Sequence, residues 1–172
     1  MIIHTQRLRL RPWNDMDAPE LYELARDPRI GTLCGWKPFE CIDDAHEALS
    51  TVLAAPDSYA VTLGSTGEIV GSIALRIDTD SPEATVADIG YWIGAPYWGN
   101  GYATEAGHAI IERARELGVQ MIVLKYFDGN DASRRVSEKL GFAWQSRDED
   151  VEYPLIGKRL TVHRTELVIA GR

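Results

Sequence analysis

The sequence predicts one α/β domain built on a mixed β-sheet, and three observations carry that prediction. Two extended runs at 59–63 and 68–75 flank Gly64, Ser65, Thr66 and Gly67, the pattern of a β-hairpin with antiparallel arms. A strand-like run at 87–94 (ADIGYWIG), a glycine turn, an apolar-striped helix and a buried-looking run from Met121 (MIVLKYF) follow in order, which requires a parallel crossover. The length of 172 residues, with 45% hydrophobic and 26% charged residues, suits a single domain over 1–172 with a substantial core.

From the N-terminus, residues 6–11 alternate strictly, with Leu8 and Leu10 on one face and Arg7, Arg9 and Arg11 on the other, until Pro12 ends the ladder. Asp15 or Asp17 is placed to cap a helix carrying Ala18, Leu21, Tyr22 and Ala25. That helix should stop by Asp27, because Pro28 disfavours helical backbone before it. A loop over 29–38 with Gly31, Gly35 and Trp36 follows, then a second helix over 43–54. After the hairpin, a polar loop over 78–83 leads into the aromatic strand. In the long helix, Ala103, Ala106, Gly107, Ile110, Ala114 and Leu117 recur at steps of three and four and form one apolar stripe, and Gly118 is a natural stop. The run from Met121 is nearly all apolar, as in buried central strands. Asn130 and Asp131 precede a short helix with Ala132, Val136 and Leu140, closed by Gly141 and Phe142. Beyond Trp144 the chain is charged, and 158–169 reads as a last strand.

The bulk numbers narrow the function classes. A net charge of −8 disfavours a nucleic-acid backbone or an anionic membrane as partner. It fits a cationic or neutral substrate slightly better, although its first meaning is solubility. Cys34 and Cys41 lack the spacing of a redox or zinc pair, and the N-terminus MIIHTQRLRLRPW has arginines where a signal peptide would be apolar, so a soluble cytoplasmic protein is expected. The four scattered histidines, His4, His46, His108 and His163, offer no metal-ligand cluster, and no metal site is expected.

The most informative stretch is YWGNGYATEA at 97–106, where Gly99 and Gly101 join strand to helix. The first N–H groups of a helix lack internal partners and face a positive dipole end, so an anion binds there when no Cβ blocks approach. A dinucleotide fingerprint needs a third glycine where Thr104 stands, and a P-loop needs a Gly-Lys-Ser/Thr ending that the chain lacks.

The segment Trp98, Gly99, Asn100, Gly101, Tyr102, Ala103 resembles the acyl-CoA pyrophosphate loop of the GNAT N-acetyltransferases, specifically the branch that acetylates ribosomal-protein N-termini. The resemblance runs along nearly the whole chain, through TQRLRLRPW, IGYWIG, YWGNGYATEA and NDASRRVSEKLGF from Asn130. The superfamily usually carries Gln or Arg where this chain has Trp98, and the ribosomal-type branch commonly departs in the same way. The resemblance implies a mostly antiparallel central sheet flanked by about four helices, with the strand before the loop splayed from its neighbour to pair with the pantetheine arm of acetyl-CoA. Trp92, Ile93 and Gly94 occupy that place, and Gly99 to Thr104, including Tyr102 and Ala103, hold the pyrophosphate. As side chains, Tyr91, Trp92 and Ile93 read as core.

Acyl transfer from CoA to an amine needs a neutral nucleophile, a polarised carbonyl and stabilisation of the leaving thiolate. Presenting a lysine-like amine neutral at pH 7 costs roughly 4.6 kcal/mol, whereas an α-amino group costs only about 1 to 1.4 kcal/mol. A terminal amine therefore tolerates a weak base. Asp88 stands where many relatives carry Glu and is the candidate base, against a solvated strand-edge reading. Glu105, in the first helical turn, reads as a complement to the helix dipole. The resemblance implies that Ser133 hydrogen-bonds the CoA sulfur and Asn130 the pantetheine amide, while both residues also suit plain helix capping. Tyr126 and Tyr153 are reserve acids, a backbone N–H near Ile93 polarises the carbonyl, and neither cysteine is placed as a nucleophile.

Trp36 and Asp88 are expected on the acceptor side, with specificity set by loops at 29–38 and 147–158; Trp36 equally suits a cover on the core edge. The acidic run Asp148, Glu149, Asp150 and Glu152 would attract a cationic acceptor, or simply be solvated. The acceptor is a protein N-terminus or a small-molecule amine such as a polyamine, amino acid or aminoglycoside. A non-catalytic acyl-CoA-binding module is the competing reading, and a homodimer is compatible with the sequence.

Overall fold

The computed structural model describes residues 1–77 and 86–169, so the polar loop expected over 78–83 lies outside the described residues. Eight strands form one mixed sheet in the order β1-β2-β3-β4-β5-β6-β8-β7. The strands are β1 Ile3–His4, β2 Leu8–Pro12, β3 Ser58–Leu63, β4 Ile69–Ile77, β5 Val86–Ile93, β6 Met121–Phe127, β7 Ala143–Tyr153 and β8 Lys158–Val168. Among the described residues only β5 and β6 run parallel, joined by the crossover helix α4 (Tyr102–Glu116); the other neighbours are antiparallel. The remaining helices among the described residues are α1 Ala18–Ala25, α2 Pro28–Cys34, α3 Ile42–Ser50 and α5 Asp131–Lys139.

The two faces of the sheet bury different sets of side chains. On one face Leu10, Ile73, Ile89, Ile122 and Leu124 pack with Ile110 and Ala114 of α4, all at most 3% exposed. Burying each large aliphatic side chain contributes on the order of 1.5–3 kcal/mol, so this layer dominates the core. A smaller cluster on the other side joins Leu21 of α1 and Leu49 of α3 to Trp36 and Trp92. Helix α5 is held over the sheet by a polar chain: the Ser137 hydroxyl donates to Thr165 Oγ1 at 2.9 Å, which donates to the Leu124 carbonyl at 2.9 Å. That chain ties the last turn of α5 to β6 and β8.

Four expectations are corrected. The loop expected over 29–38 is largely α2, because Pro28 is well placed as a first helical residue and Asp27 caps it, accepting from the Arg29 N–H at 3.0 Å. Asp17 stands at the N-cap position of α1 but makes no side-chain cap bond to that helix; Asn14 caps the preceding 3-10 turn, accepting from the Met16 N–H at 3.0 Å, and Asp17 completes that capping box by accepting from the Asn14 N–H at 3.0 Å while it bonds Arg11 at 2.7 and 2.8 Å. Helix α3 stops at Ser50 and not at 54, where Thr51 leaves helical backbone and its hydroxyl bonds the Glu47 carbonyl. The segment 147–158, expected as a loop, lies mostly within β7 and the turn to β8. Strand β7 is an edge strand with charges along both faces, which discourages edge-to-edge pairing and erases the alternation that would have announced it.

Candidate functional site

The parallel ladder of β5 and β6 runs from Val86 opposite Met121 to Ile89 opposite Leu124 and ends there, although β5 continues to Ile93 and β6 to Phe127. On its other edge β5 stays paired with β4 as far as Ile93 opposite Gly71. The two central strands therefore part beyond Ile89 and open a cleft. The Gly94 N–H donates to the Val70 carbonyl at 2.8 Å, which fixes the phase of the β4–β5 ladder. Trp92 and the Gly94 N–H thus face β4, the Gly94 carbonyl accepts from the Tyr97 N–H at 2.9 Å, and Tyr91 and Ile93 turn their backbone groups into the cleft. Consistently, the Cys34 thiol lies 4.0 Å from the Tyr91 carbonyl, and the Trp98 indole N–H donates to the Ile93 carbonyl at 2.6 Å. Of the expected trio, Trp92 and Gly94 thus have no N–H to offer a pantetheine arm. Ile93 has one, and Tyr91 joins it.

Where the cleft opens, a 3-10 turn over Ala95–Tyr97 leads into the glycine turn. Gly99 and Gly101 both have φ +79°, a left-handed conformation that side chains with a Cβ adopt only at a cost. A Cβ at Gly99 would meet nothing within 4 Å, so the approach from solvent is open. Gly101 is the N-cap of α4 and supplies no side-chain bond, which leaves the N–H groups of Tyr102, Ala103 and Thr104 free of helical partners. Asn100 stitches the turn internally, its side-chain amide donating to the Tyr97 carbonyl at 2.9 Å.

The N-terminal segment braces this turn. Arg7 donates to the Asn100 carbonyl at 3.0 Å and to Glu105 at 2.7 Å, lies over the Tyr102 ring at 4.9 Å, and is joined on Glu105 by the Thr5 hydroxyl at 2.6 Å. Burial alone would raise the Glu105 carboxyl, but the bonds from Thr5 and Arg7 outweigh it and hold the group below the usual carboxylate range. Glu105 is thus a fixed anion in the first turn of α4. On the outer side Arg29 of α2 lies 5.5 Å over the Trp98 ring.

At the other end of the cleft, Asn130 caps α5 and its side-chain oxygen accepts from the Ser133 N–H at 3.1 Å. The backbone of Ser133 is thereby engaged, and its hydroxyl bonds the Tyr91 hydroxyl at 2.9 Å. Burial pushes Tyr91 up to about 12, with the Ser133 bond pulling the other way. Sequence reasoning treated Tyr91 as core. Nothing local in ADIGYWIG marks the contact, because the partner lies 42 residues away. Of the reserve acids, Tyr126 is buried and stacked on His163 at 5.0 Å, and Tyr153 sits edge-on to Phe127 at 4.7 Å with its hydroxyl raised by burial and by the Asp88 charge. Burial also pushes the Cys34 thiol up to about 12, so it is protonated at neutral pH and a poor nucleophile.

Asp88 belongs to the opposite face of β5, the face of Trp92. Arg76, directly across on β4, donates to it at 3.0 Å, and Lys125 on β6 lies 3.7 Å away. A Cβ on Gly90 would lie 2.5 Å from the Arg76 guanidinium, so the glycine makes room for that side chain to reach across the strand. Trp36, at the end of α2, packs on Trp92 at 6.4 Å and on Phe39 at 5.6 Å, and the neighbouring Gly35 abuts Tyr153 and Phe127. Trp36 therefore covers the edge of the smaller cluster and borders the Asp88 face at once. Among the described residues no group of three or more His, Cys, Asp and Glu side chains could hold a metal ion, and no helix is long and apolar enough to cross a membrane.

The arrangement offers an uncapped helix start at α4, the N–H groups of Tyr91 and Ile93 directed into the cleft, a hydroxyl pair at its inner end, and a carboxylate with two cations on the far face of β5. Residues 7–143 match the family model described as the acetyltransferase (GNAT) domain. The Bacillus subtilis protein YkkB is 31% identical over 146 residues, which cover 80% of this chain and 82% of that protein. An acetyl transferase of Salmonella typhimurium that modifies the N-terminal serine of the ribosomal subunit protein L7/L12 superposes with a TM-score of 0.82 at 19% identity, covering 99% of this chain and 100% of its own. The microcin C7 self-immunity acetyltransferase MccE, in complex with acetyl-CoA and AMP, superposes with a TM-score of 0.82 at 22% identity over 95% of this chain and 93% of its own. At these identities the two superpositions establish the fold.

Proposed function

Because the chain belongs to the acetyltransferase (GNAT) family and is an acyltransferase, we propose that it moves the acetyl group of acetyl-CoA to a primary amine by direct attack in a ternary complex. The acceptor in this reading is a protein N-terminal amine. The observation that carries it is the cleft between β5 and β6 ending at an uncapped helix start, a shape that suits a long ligand with an anionic middle.

In this reading the pyrophosphate lies on Gly99 to Thr104, and the pantetheine arm pairs with the backbone of Tyr91 and Ile93. The Ile93 N–H is the donor toward which the thioester carbonyl oxygen is oriented. The Ser133 hydroxyl meets the sulfur, and Asn130 orders the start of α5 and turns its remaining amide protons toward the arm. Asp88 receives the proton that the amine sheds, directly or through one water, while Arg76 and Lys125 contact its two carboxylate oxygens. The small cost of deprotonating an α-amino group at pH 7, about 1 to 1.4 kcal/mol, asks little of the group that takes the proton. The Salmonella transferase named above acts on such an amine, which supports the acceptor class through likeness of fold.

The test is acetyl-CoA titration followed by an acceptor panel of peptides with free N-termini, polyamines and amino sugars, read by release of free thiol. Turnover with peptides supports the proposal. Turnover confined to small amines replaces the acceptor, binding without turnover on any amine leaves a binding module, and failure to bind acetyl-CoA removes the reading altogether.

A further inference from the structure

We propose that Tyr91 is a positioning residue for the leaving sulfur, its hydroxyl aiming the Ser133 proton into the cleft at the thiolate that acyl transfer releases. The proposal rests on the acyl-transfer reading above and adds to it a residue and a direction for the proton. Tyr91 and Ser133 come from opposite banks of the cleft, one from β5 and one from the helix after β6, and their hydroxyl oxygens are 2.9 Å apart. The contact lies two residues beyond the last β5–β6 rung at Ile89, where the strands have just parted. Asn130 already holds the Ser133 N–H, so Ser133 has only its hydroxyl to present.

Two hydroxyls carry two protons, and one lies between them. Either hydroxyl can donate across the 2.9 Å contact; with the more acidic phenol as donor and the alkyl hydroxyl as acceptor, the Ser133 proton is left for a third partner. Tyr91, pushed up to about 12 by burial, does not surrender its proton to a thiolate, the conjugate base of a stronger acid. Its part is orientation. In the step itself the amine nitrogen bonds the carbonyl carbon, the carbon–sulfur bond breaks, and its electron pair stays on sulfur. The proton shed by nitrogen balances the one that sulfur finally gains, and Tyr91 and Ser133 end as they began.

The experiment compares binding of CoA and desulfo-CoA at pH 9.5, where a large share of the free thiol is ionised, to the full chain and to Y91F, S133A and the double variant. Wild type should favour CoA by about tenfold, the worth of a charge-assisted hydrogen bond, and Y91F and S133A should each bring the ratio to within about twofold of one, with no further loss in the double variant. Desulfo-CoA affinity should stay the same throughout, which separates loss of the sulfur contact from loss of folding. With an active amine in hand, Y91F should lower kcat with an unchanged KM for acetyl-CoA, and the losses of the two single variants should not multiply. A wild-type ratio near one overturns the proposal, as does a wild-type ratio kept in Y91F or, should Y91F fail to fold, kept in S133A. If neither ligand binds wild type, the acyl-CoA reading itself falls.

Discussion

The two helices that follow the parted strands begin in opposite ways. Helix α4 starts at Gly101, left-handed and without a side-chain cap, so its first N–H groups are open to a ligand. Helix α5 starts at Asn130, whose side chain occupies the Ser133 N–H, so it presents a hydroxyl and no bare dipole end. Both helices face the same problem of unpaired N–H groups. One leaves it for a ligand to solve and the other solves it internally. In the proposed reading that difference separates the seat of the ligand's anionic middle, at α4, from the hydrogen-bonding seat of its reactive end, at α5.

The harshest way to break that contrast is to close the open start. Gly101→Val puts a β-branched residue at φ +79° and a side chain over the N–H groups, and should weaken acetyl-CoA binding by about 100-fold in calorimetry, with a loss of roughly 1–3 kcal/mol in stability. Asp88 lies outside both helix starts, so Asp88→Asn should leave acetyl-CoA affinity unchanged while turnover of the preferred amine falls by about 10- to 100-fold. Opening the closed start sharpens the comparison: Asn130→Ala should cost about 1 kcal/mol in urea unfolding, and Asn130→Asp, which can still cap, should recover most of it. The gentlest probe is the brace on α4. The Glu105 carboxyl is held below its ordinary 4.5, so the stability it contributes is complete above that value and is lost as pH falls through the lower folded value. Urea midpoints followed from about pH 7 to pH 3 should therefore fall more steeply for wild type than for Glu105→Gln.

What the sequence made legible was local. The hairpin, the apolar stripe of α4, the glycine turn and the Asn130 cap each depend on residues within a few positions, and short-range chemistry is enough to read them. The mixed sheet and its parting strands followed from element order together with family resemblance. What stayed hidden depends on distant partners. Strand β7 has no core face to impose alternation, so charge disguised it as a loop. Pro28 read correctly as the end of α1, yet its equal fitness to begin α2 was missed. The Arg7–Glu105 brace spans 98 residues and the Tyr91–Ser133 pair 42, and neither residue type announces such a partner. The turning of Trp92 and Gly94 toward β4 is a matter of ladder phase, which one residue of register would have reversed.

That phase also supplies the most direct test of where the donor lies. Amide hydrogen exchange can be followed residue by residue with and without acetyl-CoA. The account predicts new protection at Tyr91 and Ile93 and at Tyr102 to Thr104, with Trp92 and Gly94 already slow through their bonds to β4 and unchanged on binding. Protection appearing at Trp92 and Gly94, or at none of these amides despite saturation, would contradict it.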